Sequence, residues 1–292
     1  MSMFWDAFKA GDFDYLLQWM KSNWTLSLYI SLVYVILIFW GQSYMKTRPA
    51  FNLRPQLFVW SLALALFSIW GAYRTFGGIF SDASENGWLY TMCSLSYLNE
   101  QPSQNNSPLW AFLFMFSKLP ELGDTIFIVL RKQRLIFLHW YHHITVFVYC
   151  WYSYGHPVAT GRWFSAINYM VHAIMYSYYA IRASGNKTPK FIPICITTLQ
   201  ILQMVAGIFV NVYALKMVYR GESCYVGITN IYLSLAMYCS YFVLFCNFFL
   251  NTYLRRPKDK VKVEAAANKD AIKQEESSAT SSSTLRHRNA VH

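Results

Sequence analysis

Three histidines, His139, His142 and His143, fall within the stretch LHWYHHITVF (138–147), and a fourth, His172, lies in NYMVHAIMYSYY (168–179). The stretch KLPELGDT (118–125) carries Lys118, Glu121, Asp124 and Thr125, and TTLQILQ (197–203) carries Gln200 and Gln203. All four stretches are embedded in apolar sequence. An ionisable side chain is costly there and marks a functional site by default.

Clustered imidazoles offer two chemistries. As metal ligands they suit iron or zinc, and histidine boxes on helices serve membrane di-iron desaturases and hydroxylases. Of the seven histidines, however, His287 and His292 belong to the C-terminal tail and His156 to a loop, leaving four. That is fewer than a di-iron site draws on, so the reading adopted has no metal, with a single zinc as the remaining alternative. Neutral imidazole is the second chemistry, acting as nucleophile or base. A histidine can take an acyl group from a thioester and so split one hard displacement into two easier ones. Glu121 or Asp124 would then fix the tautomer of a neighbouring ring, as the third member of a triad does. The blander roles are a structural histidine–carboxylate bond, acids that merely neutralise Lys118, and glutamines that cross-link helices.

The elements that must position these residues read as membrane spans. The 292-residue chain is 55% hydrophobic, 19% aromatic and only 13% charged, too apolar for an ordinary soluble domain. Candidate spans lie near 26–45, 57–76, 109–130, 135–154, 162–182, 191–215 and 228–253, each close to the length that crosses hydrocarbon. The fold class is therefore all-α and integral to the membrane, with seven transmembrane helices. Pro120 and Gly123 are placed to bend the third. Residues 1–25 form an N-terminal segment without a signal peptide, since Asp6, Lys9, Asp12, Asp14 and Lys21 precede any apolar run. Residues 26–256 hold the helices, and 257–292 turn charged and then Ser-rich, as a disordered tail does.

Basic residues set an orientation. Lys46, Arg48 and Arg54 follow the first span, Arg131, Lys132 and Arg134 the third, Lys187 and Lys190 the fifth, and Arg255, Arg256 and Lys258 the seventh. The loop 77–108 has no Lys or Arg. This alternation puts the N-terminus in the lumen and the C-terminus in the cytosol. The net charge of +11 thus reads as topology and a lipid-bilayer surface, with no nucleic-acid partner. On this topology, at about 1.5 Å per residue, the three clustered histidines lie roughly 8–14 Å below the cytosolic surface. Glu121, Asp124 and His172 lie about 10–15 Å down, and Gln200 and Gln203 about 15–20 Å, with Asn168 a turn beyond His172. Four helices deliver polar groups to one slab, which implies an enclosed polar chamber reached from the cytosol. Tyr176 and Tyr178 or Tyr179 stand nearer the surface, where interfacial belt is the competing role.

Cys93 and Cys224 both fall in lumenal loops and are expected to form a disulfide, two free thiols being the alternative. Asn23 and Asn105 head lumenal glycosylation sequons, each close to a span; Asn186 heads a cytosolic one.

Together KLPELGDT, HWYHH, NYMVHAIMYSYY and TTLQILQ resemble the KxxExxDT, HxxHH, NxxxHxxMYxYY and TxxQxxQ signatures of the fatty acid elongases, in order, over roughly residues 20–256. The run 118–146 is most similar to the type that extends saturated and monounsaturated long-chain acyl groups. The resemblance implies a condensing enzyme of the endoplasmic reticulum, a 3-oxoacyl-CoA synthase and acyltransferase. It would join long-chain acyl-CoA to malonyl-CoA, releasing CoA and CO2, with no cofactor beyond these substrates. Six of the seven helices would form a barrel around an acyl tunnel. His142 would be acylated, with His172 facing it; His139 and His143, assisted by Asp124 and Glu121, would orient or activate. Lys118, Asn168, Tyr176, Tyr178, Gln200 and Gln203 would line the substrate site. Preference for His142 over His143 comes from the family alone. The implied partners are the 3-ketoacyl-CoA reductase, dehydratase and enoyl reductase of an elongation cycle, with a homo-oligomer left open. The chain ends RHRNAVH, without the terminal dilysine of many elongases. The rival readings are a histidine-box desaturase or hydroxylase and a seven-helix receptor. The receptor gives no reason for histidines and acids at one depth.

Overall fold

A computed structural model describes residues 12–96 and 108–254; the sequon at Asn105 and the tail lie outside the described residues. Within them the chain is helical, with no strand. The helices are α1 (Phe13–Asn23), α2 (Leu26–Met45), α3 (Arg54–Asn86), the short α4 (Tyr90–Cys93), α5 (Pro108–Glu121), α6 (Asp124–Leu130), α7 (Phe137–Gly155), α8 (Gly161–Ala183), α9 (Phe191–Tyr219) and α10 (Ile228–Phe249). The chain divides at Phe245 into two units, and the polar site belongs entirely to the first. In the second, α10 ends and one π-helical turn follows, Leu250–Leu254, where Asn251 Nδ2 donates to Asn247 Oδ1 at 2.8 Å.

Among the described residues, four helices are long and apolar enough to cross a membrane: α2, α3, α9 and the run Ile228–Leu254. Their outward faces are large and apolar, as at Leu32, Ile36 and Trp40 of α2 and Phe209 and Val212 of α9. Hydrocarbon is the natural solvent for such faces. Helices α7 and α8 have comparable length, but their inward faces are polar. Along α8, Arg162, Ser165, Asn168, His172 and Tyr176 are all buried at helical spacing, which dilutes the hydropathy signal.

The third expected span is two helices. Pro120 has no N–H to donate, and Gly123 N reaches only back to Pro120 O, at 2.8 Å. A Cβ at Gly123 would lie 3.0 Å from both Pro120 O and the Trp60 ring. The break separates Glu121, last residue of α5, from Asp124, first residue of α6. The two acids therefore serve different neighbours.

Close helix approach comes from small residues facing rings, the usual means where lipid offers no hydrophobic drive. Helix α3 packs along α8 through Ala65, Ser68 and Gly71, and a Cβ at Gly71 would fall 2.6 Å from the Tyr169 ring. Gly207 of α9 meets Tyr238 of α10 in the same way.

One end of this unit is sewn shut. Cys93 and Cys224 form a disulfide with Cα atoms 4.3 Å apart, beside a backbone bond from Tyr225 N to Cys93 O at 3.0 Å. Arg162 Nη1 donates to Asp82 Oδ2 (2.7 Å) and Ser96 Oγ (3.1 Å), and Trp163 Nε1 to Thr91 Oγ1 (3.1 Å). Chain entropy makes a cross-link over a long loop worth about 5 kcal/mol. Cys93→Ser or Cys224→Ser is therefore expected to lower the midpoint of thermal unfolding in detergent clearly. Peptide mapping after maleimide labelling without reductant should modify exposed Cys195 and Cys239 but neither member of the pair. Labelling of both would contradict the linkage.

Candidate functional site

The polar residues meet in three linked groups. In the first, Lys118 is 2% exposed, and its Nζ donates to Glu121 Oε1 (2.8 Å), Glu121 Oε2 (3.1 Å) and Asn168 Oδ1 (2.9 Å). Its ammonium also sits 4.5 Å above the Phe114 ring. Ser117 Oγ, 2.8 Å from Phe114 O, shares its proton with Glu121 Oε1 at 3.1 Å. A buried ion pair holds only when such hydrogen bonds satisfy its remaining valences, and here they do. Asn168 Nδ2 then meets His172 Nε2 at 3.2 Å, while His172 Nδ1 stands 3.9 Å from Glu121 Oε1. The His172 ring is thus hydrogen-bonded on its Nε2 edge, with Glu121 of α5 facing its Nδ1 edge.

The second group centres on Asp124. Its two oxygens accept from Trp60 Nε1 and Tyr176 OH, each at 2.6 Å. Neither contact is to a histidine, so Asp124 does not orient an imidazole directly. Thr125 does so instead. Its Oγ1 lies 3.0 Å from His139 Nε2 and 2.6 Å from Tyr34 OH, a hydroxyl chain running from α2 through α6 to α7.

The third group is the histidine run itself. The His139 and His143 rings pair, their centroids 4.4 Å apart, and the His142 ring is 5.6 Å from that of His143. His142 turns instead toward Tyr241, at 4.9 Å between centroids. Tyr241 OH lies 2.6 Å from Thr145 Oγ1 and donates to His142 O at 3.3 Å, which pins the backbone and leaves the ring alone.

Two cavities flank this core. The inner one, about 80 Å³, is narrow and mostly apolar. His142, Asn168, Gln203 and Tyr241 border it, and Phe114, Met115, Val146, Met204 and Met237 supply apolar wall. Along α7 the lining runs from His142 to Tyr154, a rise of about 18 Å at 1.5 Å per residue. The outer cavity, about 550 Å³, has Asp124, His139 and Tyr176 on its wall together with Arg54, Arg131, Arg182 and Lys187. Among the described residues, Asp124 is the one carboxylate lining it, and its oxygens are engaged.

Not every expected residue joins the site. Gln203 does, but Gln200 Nε2 points to Met175 Sδ at 3.3 Å, within an apolar cluster. Tyr178 lines an outward groove among Ile174, Ile181 and Ile192, while Tyr179 borders the outer cavity. Asn23 Nδ2 is bonded to Trp19 O at 2.8 Å. His156 stacks on Tyr152, its Nδ1 3.0 Å from Tyr152 O, apart from the other histidines. Among the described residues, no three His, Cys, Asp or Glu side chains assemble as a metal site. Tyr34, Trp60 and Tyr241 are site neighbours that the sequence reading did not single out. Each lies in a span whose composition is otherwise plainly lipid-compatible.

The described residues thus define an all-helical protein with four helices apolar enough to cross a membrane and a buried cluster of histidines and carboxylates. Residues 19–261 match the family described as ELO: GNS1/SUR4, and the chain belongs to that family of fatty acid elongases. It is 47% identical over 249 residues to very long chain fatty acid elongase 6 of Mus musculus, covering 85% of this chain and 92% of that protein. To the elongase 6 of Drosophila melanogaster it is 46% identical over 265 residues, covering 89% and 83%. Human very long chain fatty acid elongase 3 is 43% identical over 246 residues, covering 84% and 88%.

Proposed function

We propose that the protein is a 3-oxoacyl-CoA synthase of the endoplasmic reticulum membrane, joining a long-chain acyl-CoA to malonyl-CoA through an acyl-histidine. The observation that carries this reading is His142, which borders a narrow, mostly apolar cavity also lined by Asn168, the hydrogen-bond partner of His172. An apolar slot bordered by an imidazole suits an acyl chain, and at about 80 Å³ it must widen to admit a long one. Met115, Met204 and Met237 are adaptable side chains that give such a slot room to widen.

Condensation then has two halves. His142 takes the acyl group from CoA, and the carbanion formed when malonyl-CoA loses CO2 takes it from His142. Each half replaces a single crowded displacement by a simpler one. His172 backs the cavity wall through its bond to Asn168, His143 and His139 hold the ring array, and the Lys118–Glu121 pair secures the wall.

On this reading α5 and α6 together make one broken crossing, α7 and α8 make two more, and six of seven crossings enclose the acyl chain. The N-terminus is lumenal and the C-terminus cytosolic. The outer cavity faces the cytosol, where its cations suit the phosphates of CoA. No ion pair to Arg54, Arg131, Arg182 or Lys187 occurs among the described residues, so these charges are available. The reductase, dehydratase and enoyl reductase that complete the cycle would take the product from this side.

The test is two-carbon extension of palmitoyl-CoA by purified protein in liposomes. Product should require malonyl-CoA. Arg54→Gln and Arg182→Gln should each raise KM for acyl-CoA about tenfold with kcat preserved, a loss of about 1.4 kcal/mol of ground-state binding. Extension without malonyl-CoA, or none at all, would overturn the reading.

A further inference from the structure

The orientation of the Asn168 amide is dictated by its neighbours. Lys118 is an ammonium and can only donate, so the atom it meets at 2.9 Å is Asn168 Oδ1. The NH2 group therefore faces the other way, toward His172 Nε2 at 3.2 Å. That nitrogen accepts, which places the ring proton on Nδ1, the edge turned to Glu121. An amide nitrogen carries two hydrogens, and His172 takes one. The second N–H has no acceptor among the described residues, and Asn168, 7% exposed, borders the same cavity as His142.

A buried N–H without an acceptor among the described residues, lining the same cavity as the proposed nucleophile and aimed by an ion pair on the facing helix, is an arrangement that stabilises negative charge on oxygen. We propose that Asn168 Nδ2 is the oxyanion donor of the reaction, held in that role by Lys118. The assignment rests on the acyl-histidine reading above. A ring nitrogen of His142 attacks the thioester carbonyl, a C–N bond forms, and the carbonyl π pair moves onto oxygen, which accepts the Asn168 N–H. Collapse of that oxyanion breaks the C–S bond, and the departing CoA thiolate takes the proton released by the imidazole. In the second half the malonyl-derived carbanion attacks the same carbonyl, and the oxyanion returns to the same donor. The C–N bond then breaks, and the departing imidazole nitrogen takes a proton from water. Lys118 is a positioning residue, since its ammonium touches Asn168 and not the reacting carbonyl.

Single-turnover release of CoA thiol from palmitoyl-CoA alone reads the first half directly. Asn168→Asp keeps the shape, gives Lys118 a carboxylate and removes both N–H donors. It should slow the release, and kcat, by about a hundredfold to a thousandfold. A thioether analogue of palmitoyl-CoA, which has no carbonyl oxygen, should bind wild type and variant within about threefold of each other. Asn168→Ser, which also removes the amide, is made beside it in case the aspartate does not fold, and should show the same loss in kcat. Lys118→Met combined with Glu121→Gln, which leaves no unpaired buried charge, should lower kcat about tenfold or more with KM little changed, because the amide is then free to turn. Release within about threefold of wild type in either folded Asn168 variant overturns the assignment. So does a loss confined to KM with matching loss of analogue binding. If wild type extends chains yet releases no CoA from acyl-CoA alone, the acyl-histidine route itself falls, and this role with it.

Discussion

His142→Ala is expected to lower kcat for condensation by at least about a thousandfold while the protein stays folded. The two halves of that expectation rest on different observations. Activity falls because the ring that opens on the apolar cavity is the group proposed to carry the acyl chain. Folding survives because the ring contributes mainly packing, against Tyr241 at 4.9 Å, His143 at 5.6 Å and Phe245 at 6.4 Å. Loss of one packed ring costs about 2–5 kcal/mol, which a cross-linked helical unit tolerates. His172→Ala should remove activity to the same extent but cost more stability, since it strips the partner from Asn168 Nδ2. Turnover by His142→Ala within tenfold of wild type would mean that another group receives the chain.

The second large effect concerns the ion pair. Breaking a buried pair by removing one partner leaves an uncompensated charge, at a cost of about 3–5 kcal/mol. Glu121→Gln is therefore expected to destabilise strongly, because it leaves the Lys118 ammonium facing only neutral amide oxygens and the Phe114 ring. The double variant Lys118→Met with Glu121→Gln removes both charges and should recover most of that stability. It should not recover activity, because the Asn168 amide is no longer aimed. Thermal unfolding in detergent and the liposome assay, run on the same preparations, separate the two roles. A double variant as unstable as the single would show that the pair is not the source of the penalty. A double variant with full activity would show that the pair serves stability alone.

How much of this was readable beforehand depended on the kind of signal. The membrane class followed from long apolar runs, and the site from polar residues that hydrocarbon does not tolerate without cause. Asn168, His142, Lys118 and Glu121 announced themselves that way, and the structure brings them to one cavity wall or its backing. The direction of each side chain was not legible. Residues 139, 142 and 143 share a helical face, yet His139 borders the outer cavity and His142 the inner, because one helical face spans both. The two acids of KLPELGDT read as a pair, and the backbone break at Leu122–Gly123 sends them to different partners. Tyr178 and Tyr179 are adjacent, and only helix rotation decides which faces lipid-side grooves and which the cations. Tyr34 and Trp60 gave no signal at all, since an aromatic in an apolar span is ordinary until its hydroxyl or indole N–H finds a polar partner.

Intact-protein and peptide mass spectrometry of the purified enzyme incubated with palmitoyl-CoA, in the absence of malonyl-CoA, tests the acyl-histidine most directly. The expected result is one palmitoyl adduct per chain, mapped to His142, absent from His142→Ala and discharged on adding malonyl-CoA. An adduct on Cys150 instead, or no adduct under conditions where adding malonyl-CoA gives turnover, would contradict it.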